Sequence, residues 1–113
     1  MNMMKNKVQL IGHLGQSPEI KIFEAGTKKA NMSLATNEDY KDANGTKVSE
    51  TQWHTLIAWG KMADFAEKYL AKGIQVAVDG KLVNRTYIDK AGVKRNVTEI
   101  HVHEMLIITP KNK

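Results

Sequence analysis

Apolar and polar residues alternate along most of this chain, which is typical of β-strands that turn one face to a core. The alternation predicts five strand segments, the first of them in two pieces: residues 7–14 with 19–23, then 29–36, 51–60, 74–82 and 97–108. In the last segment Thr98, Ile100, Val102 and Leu106 share a face. In the first segment Val8, Leu10 and Leu14 share a face, and Gly12 occupies the remaining position on it. A glycine there predicts a bend at which the sheet can close on itself.

Between residues 61 and 72 the period changes to that of a helix. Gly73 follows where a left-handed C-cap is expected. One apolar stripe of this helix is expected to be buried, and it includes both aromatic side chains of the segment. Its residues are Met62, Phe65, Ala66, Tyr69 and Leu70.

Two polar stretches predict exposed hairpins. Residues 37–50 contain the turn dipeptide Asn44-Gly45, and a second turn is centred on residues 89–92. No internal repeat is recognised. The order of three strand groups, one short helix and two strands predicts a mainly all-β fold, a five-stranded OB-fold Greek-key barrel with the helix between strands 3 and 4.

Composition narrows the class of protein. A chain of 113 residues without cysteine predicts one domain and no disulfide framework. The formal charge of +5 favours polyanionic partners. Residues 1–5 contain no apolar segment of signal-peptide length and no run approaches a membrane span, so a cytoplasmic protein without membrane contact is expected.

The segment 51–60 contains both tryptophans of the chain. Strand alternation puts Trp53, Thr55, Ile57 and Trp59 on one face and His54, Leu56 and Ala58 on the other. A tryptophan in a small β domain is usually core, but here the opposite face already supplies apolar side chains. We therefore predict an exposed aromatic platform, with Lys61 at its end, suited to unpaired bases and their phosphates.

Several short motifs occur in one order along nearly the whole chain: NKV (6–8), IGHLGQSPE (11–19), SLAT (33–36), QWH (52–54), GKMA (60–63), YLAKG (69–73), GKL (80–82), RTY (85–87) and DKAG (89–92). In order and spacing the chain resembles the bacterial single-stranded DNA-binding (SSB) proteins. The resemblance implies an OB-fold homotetramer that wraps single-stranded DNA without sequence preference in replication, repair and recombination, at the nucleoid. It implies no cofactor and no enzymatic activity.

The resemblance also implies residues that bind DNA. The family's stacking aromatics fall on Tyr40, Trp53, Trp59 and Tyr87, where the family often has Trp, Trp, Phe and Trp. Basic residues that the family commonly has at Thr55 and Val83 are missing, a loss that Lys81, Lys94 and Arg95 can offset. From the residues themselves, the candidates for phosphate contact are Lys5, Lys7, Lys61, Lys72, Arg85, Lys94 and Arg95. Arg85 is the strongest of them, because it precedes Tyr87 at a hairpin base.

Other functions remain open from the sequence. His101 and His103 share a predicted strand face, but only Glu99 lies near as a further metal ligand, so metal binding is disfavoured. An OB-fold nuclease would need a carboxylate cluster that the sequence does not supply. An OB-fold RNA-binding protein and a dimeric primosome accessory protein are the alternatives, and His54 can lie either at a subunit interface or in the core.

The two ends of the sequence complete the expectation. We expect residues 1–109 to form the DNA-binding domain and residues 110–113 a short basic end. SSB proteins usually continue into an acidic, partner-recruiting tail, so this polypeptide is expected to bind DNA without recruiting tail-dependent replication and repair proteins.

Overall fold

Six strands and one helix form the part of the chain that the computed structural model describes, residues 4–108. Residues 110–113, and with them the predicted basic end, lie outside it. The elements are β1 (Val8–Leu14), β2 (Glu19–Ile22), β3 (Lys28–Lys41), β4 (Lys47–Trp59), α1 (Lys61–Tyr69), β5 (Gln75–Ile88) and β6 (Lys94–Ile107).

The strands form one sheet in the order β1-β5-β6-β4-β3-β2, closed into a barrel by pairing of β1 with β3. Five strands make the barrel, while β2 pairs only with β3 in the described part of the chain. All neighbours are antiparallel except β4 and β6, which run parallel. The predicted OB-fold is confirmed, with the helix following the third barrel strand.

The helix packs on the barrel through a narrower stripe than the sequence predicts. Ala63, Ala66 and Leu70 are buried, and Phe65 is partly buried against the core. Tyr69 is 56% exposed, so its predicted place in the core is wrong. It lies at the edge of the stripe, and the small alanines carry the contact because they let the helix axis come close to the strands.

The predicted helix C-cap is also wrong. Helical geometry ends at Tyr69, because Leu70 is extended with φ −103° and ψ 147°. Gly73, at φ 88°, lies in the following turn, where its N–H donates to the Leu14 carbonyl at 2.8 Å.

Two glycines allow strands to approach closely. A Cβ on Gly12 would lie 2.2 Å from the carbonyl oxygen of Ala35, at the point where β1 passes from β5 to β3. This confirms the predicted closure at Gly12. A Cβ on Gly80 would lie 2.3 Å from the carbonyl oxygen of His101, beside a β-bulge in the pairing of β5 with β6.

The bulge corrects one prediction about the last strand. Asp79 pairs with Glu104 while Gly80 pairs with Val102, so one extra residue, His103, enters β6. An extra residue reverses the alternation beyond it. As a result Met105 is buried and Leu106 is 67% exposed, although the unbroken pattern predicts Leu106 on the inner face.

Both predicted hairpins are present, and their strands extend further than the alternation predicts: β3 and β4 pair as far as Lys41 and Lys47, and β5 and β6 as far as Ile88 and Lys94. The polar stretch 37–50 is therefore mostly strand. Since β4 and β6 are parallel, both hairpins extend from the same end of the barrel.

The two hairpins repeat one another, which inspection of the sequence missed. Asp42 accepts hydrogen bonds from the N–H groups of Asn44 and Thr46, and Asp89 does the same for Ala91 and Val93. Each turn is completed by a glycine with positive φ. The identical residues, 47 positions apart, are Asn37 and Asn84, Tyr40 and Tyr87, Asp42 and Asp89, Gly45 and Gly92, Lys47 and Lys94, and Thr51 and Thr98.

In residues 4–108 no helix is both long and apolar enough to cross a membrane.

Candidate nucleic-acid interface

The outer face of β4 carries the two tryptophans. Trp53 is 62% exposed and Trp59 is 42% exposed, while Leu56 and Ala58 on the opposite face are buried in the core. The predicted alternation of this strand is therefore confirmed. Ile57, between the two indoles, is buried at the centre of the outer face, where it pairs with Asn31 and His101.

Trp53 is supported from below by the turn after β1. A Cβ on Gly15 would lie 2.6 Å from Cζ3 of the indole, so the ring rests on bare backbone. The glycine leaves room for the ring to lie close to the barrel with much of its surface still facing solvent. This arrangement fixes an aromatic ring without burying it.

Trp59 belongs to an aromatic and basic cluster that sequence reasoning missed. Phe23 stacks on the indole with ring centroids 6.0 Å apart and planes at 25°. The Lys29 Nζ lies 5.5 Å from the Trp59 centroid, and the Lys21 Nζ lies 5.1 Å from the Phe23 centroid. The alternation of β2 already put Lys21 and Phe23 on one face, but no local signal paired that face with Trp59.

Tyr87 shares the tryptophan face and stands beside an ion network. By the registers of β4 with β6 and β6 with β5, Glu99, Arg85 and Tyr87 all lie on this face. The Arg85 guanidinium is 5.9 Å from the Tyr87 centroid and donates from Nε and Nη2 to Oε2 of Glu99, at 3.0 and 2.8 Å. Glu99 is buried, and His101 contacts its other oxygen at 3.2 Å.

The network sets the charge of the buried acid. The hydrogen bonds from Arg85 hold the pKa of Glu99 below its ordinary value, and the burial that opposes them is outweighed. The same contact raises the pKa of Arg85. Glu99 therefore remains an anion at neutral pH, with one cation and one imidazole facing it.

Acid should unfold the protein partly through this carboxylate. Its contribution to stability is fully present above about pH 4.5, the ordinary pKa, and is lost as pH falls from there through the lowered folded pKa. We expect Glu99→Gln to lose about 1–3 kcal/mol at pH 7 and to have a flatter acid limb. Urea unfolding between pH 3 and 7 measures both. Parallel curves for the two proteins below pH 4.5 would contradict the assignment.

Tyr40 lies on the other face of its hairpin. Its register partner is Val48, and the pairing of β3 with β4 runs without a break from Ala35–Trp53 to Lys41–Lys47. Alternation then separates Tyr40 from the face of Trp53. The ring is exposed, but it does not join the surface formed by the other three predicted aromatics.

The predicted phosphate-binding cations divide into two groups. Within residues 4–108, Lys7 pairs with Asp79 at 3.1 Å, Arg85 with Glu99, and Arg95 with Asp89 at 2.9 Å. The cations without an acidic partner in this range are Lys5, Lys61, Lys72 and Lys94. The hydrogen bonds from Arg95, then Val93 and Ala91, lower the pKa of Asp89.

The predicted histidines have structural contacts. His54 is half-buried and hydrogen-bonds Thr36 at 3.0 Å. His101 contacts Glu99, and His103 is the extra residue of the bulge. Over the described range 4–108, no three His, Cys, Asp or Glu side chains are grouped to hold a metal ion.

A second exposed surface is apolar. Ile11 of β1 and Leu106 of β6 are exposed on the outer side of the barrel, and both line one concavity together with Ala77 of β5. Their neighbours there include Asp79 and Glu104. This surface lacks exposed aromatic rings in the described residues and differs in character from the tryptophan face.

Comparison with known proteins is consistent with this geometry. The model of the single-strand binding protein family matches residues 5–108. A protein of Chlorobaculum tepidum named single-stranded DNA-binding protein 1 is 44% identical over 95% of this chain and 67% of its own length. The single-stranded DNA-binding protein of Bacteroides thetaiotaomicron is 41% identical over 96% of this chain and 69% of its own.

Solved structures agree in fold. The Plasmodium falciparum SSB, in a complex with single-stranded DNA, superimposes with a TM-score of 0.84 at 35% identity, over 96% of this chain and all of its own. A deletion mutant of the Thermus aquaticus single-stranded DNA-binding protein gives a TM-score of 0.81 at 24% identity, over 92% of this chain and 50% of its own, and supports the fold alone.

Proposed function

Since this chain belongs to the single-strand binding protein family, we propose that it binds single-stranded DNA without sequence preference and protects it during replication, repair and recombination. The family is one of DNA-binding proteins that are not enzymes. The observation that carries the proposal for this chain is the pair of exposed indoles on one sheet face, beside cations.

Base stacking supplies the part of the affinity that is independent of sequence. Each base that stacks on an aromatic ring contributes on the order of 1–3 kcal/mol, and every base has a π face. We assign this role to Trp53, Trp59 and Tyr87, which share one face, and to Tyr40 on the far side of its hairpin. A DNA strand bound at Trp53 reaches Tyr40 only by passing around the edge of the hairpin.

Phosphate neutralisation supplies the salt-dependent part. Of the predicted phosphate-binding cations, we assign it first to those without acidic partners among residues 4–108, Lys5, Lys61, Lys72 and Lys94. Lys7, Arg85 and Arg95 contribute to the extent that a phosphate replaces the carboxylate that now holds each of them.

Tryptophan fluorescence titrated with oligo(dT) at two salt concentrations tests the proposal. We expect strong quenching and a site of several nucleotides. The logarithm of the affinity should fall against the logarithm of salt concentration with a slope of roughly −3 to −5, about −0.7 for each of four to seven neutralised phosphates. Emission unchanged at saturating oligonucleotide would contradict it. Stronger binding of a ribo homopolymer would favour the RNA-binding alternative.

We further propose that residues 1–109 act as one DNA-binding domain and assemble as a homotetramer at the nucleoid in the cytoplasm. The exposed apolar surface of Ile11, Ala77 and Leu106 supports assembly, because large apolar patches usually mark contacts between proteins. The mass in solution distinguishes a tetramer from the dimer expected of a primosome accessory protein. Ile11→Lys should reduce that mass, whereas Ile22→Lys, at an exposed isoleucine of β2, should not.

A further inference from the structure

The outer face of the sheet continues past Trp59 to the edge strand β2. Lys21 of β2 is the register partner of Lys29, and Lys29 is the register partner of Trp59. The three side chains therefore form a row across three strands, on the face that carries Trp53. Phe23 follows Lys21 by two residues and lies on the same side.

Phe23 is an apolar ring held in an exposed turn. It is 36% exposed, its N–H donates to the Thr27 carbonyl at 2.9 Å, and its carbonyl accepts from Gly26 at 2.8 Å. The backbone of the turn thus fixes the ring against Trp59. Together the two rings extend the aromatic surface of the sheet to its edge.

The two lysines of the row repel each other. Like charges directly opposite one another on an antiparallel pair destabilise it. Each ammonium lies over an aromatic ring, and neither has an acidic partner among residues 4–108. Glu19 lies on the same face, but Asn31 is its register partner.

The neighbouring residue Lys28 shows the contrast. It lies on the opposite face of β3 and pairs with Asp64 at 2.8 Å and with Glu67 of the helix. Hydrogen bonds to Asp64 and then Glu67 raise the pKa of Lys28. Lys28 and Lys29 are adjacent in one strand but have different neighbours. Two carboxylates of the helix neutralise Lys28, whereas Lys29 lies opposite a second cation, Lys21.

We propose that Lys21, Phe23 and Lys29, with Trp59, form a further nucleotide subsite at the β2 edge. A base stacks on the exposed surface of Phe23, and the adjoining phosphate lies between the two ammonium groups, where it relieves their repulsion. The inference rests on the proposed function and extends it, because it carries the bound strand from the tryptophan face to the edge of the sheet.

The subsite is continuous with the rest of the interface. Trp53 and Trp59 are six residues apart on one strand, which is about 20 Å at the usual rise per residue. Between β2 and β3, a concavity is lined by Glu19, Ile20, Lys21, Lys29 and Asn31. The stack of Phe23 on Trp59, with ring centroids 6.0 Å apart, joins β4 to this edge of the sheet.

Salt dependence tests the phosphate position with a matched pair of variants. Lys29→Ala should make the salt slope for oligo(dT) less steep by about 0.7, the loss of one neutralised phosphate on a single strand. Lys28→Ala, one residue away, should leave the slope unchanged because that ammonium is already paired within the fold. Equal effects of the two substitutions would overturn the phosphate position.

The base position is tested in Trp53→Phe, where Trp59 is the single tryptophan. Adding Phe23→Leu, which keeps an apolar side chain but removes the π face, should weaken binding of a long oligo(dT) by roughly 5- to 30-fold, the lower part of the stacking range.

The outcomes separate the two hypotheses. If the unaltered protein does not bind oligo(dT), the proposed function fails. If it binds and neither Phe23→Leu nor Lys29→Ala changes affinity or slope, the subsite alone is wrong. Circular dichroism of each variant, expected to match the unaltered protein because both side chains are at the surface, excludes unfolding as the cause of a loss.

Discussion

Trp53→Ala should weaken binding of oligo(dT) by roughly 5- to 150-fold, because it removes one complete stacking surface. The free energy of unfolding should change little, since the indole is 62% exposed and Leu56 and Ala58 form the core on the opposite face of its strand. Equilibrium titration and urea unfolding of the same preparation measure the two quantities. A loss of stability comparable to the loss of binding would show that the ring is a packing element.

Leu56→Ala is the matched control on the same strand. Leu56 is fully buried, so its truncation should cost about 2–5 kcal/mol of stability while the folded fraction still binds.

Gly15→Ala is a third variant, in which a methyl group 2.6 Å from the indole should push the ring off its support. It should weaken binding without removing the aromatic side chain, and normal affinity would show that the support is not needed.

Gly12→Ala should destabilise the barrel by about 3 kcal/mol or more, at or above the upper end for overpacking. The added methyl group would lie 2.2 Å from a backbone oxygen of β3, and a backbone atom cannot turn away as a flexible side chain does. The pairing of β1 with β3 is the contact that closes the barrel, and it consists of two residue pairs. We expect this contact to open first, detected as rapid amide exchange at residues 13–14 and 34–35.

Gly45→Ala is the control for Gly12→Ala, because it separates the cost of a steric clash from the cost of a left-handed backbone conformation. A Cβ there meets nothing within 4 Å, but the residue has φ 79°. It should therefore lose only the roughly 1–2 kcal/mol of a left-handed L-residue. Similar losses in the two variants would mean that β1 adjusts to the methyl group and that close approach at Gly12 is not required.

The sequence predicts well wherever a local rule decides the structure. Alternation of period two identified the strands of the barrel and the solvent-facing side of Trp53 and Trp59, because one buried face suffices to fix which way each side chain points. Closure at Gly12 was predictable because a single glycine on the apolar face of a strand often marks a bend or a close approach of two backbones. The paired cations were not distinguishable from the unpaired ones, since Asp79 is 72 positions from Lys7 and the pairs Arg85–Glu99 and Arg95–Asp89 depend on how one hairpin folds.

The errors come from register and tertiary contact. The extra residue of the bulge, His103, puts Leu106 on the outer face, and no local sequence pattern indicates the bulge. The hairpin over residues 37–50 was predicted, but its strands were predicted to end too early, because both faces of a hairpin that leaves the barrel are solvated and the alternation stops there. Phe23 was overlooked because its significance depends on Trp59, which is 36 positions away in sequence.

The first strand has a consequence for how the protein is made. Its partners Gln75–Gly80 are translated last but one among the strands, so Leu14 leaves the ribosome 66 residues ahead of Gly80. At roughly 5–20 residues per second, that is about 3–13 s during which the N-terminal segment has no β5 to pair with. Nascent chains therefore spend seconds with an unpaired β1 edge, and an unpaired strand edge is prone to aggregation.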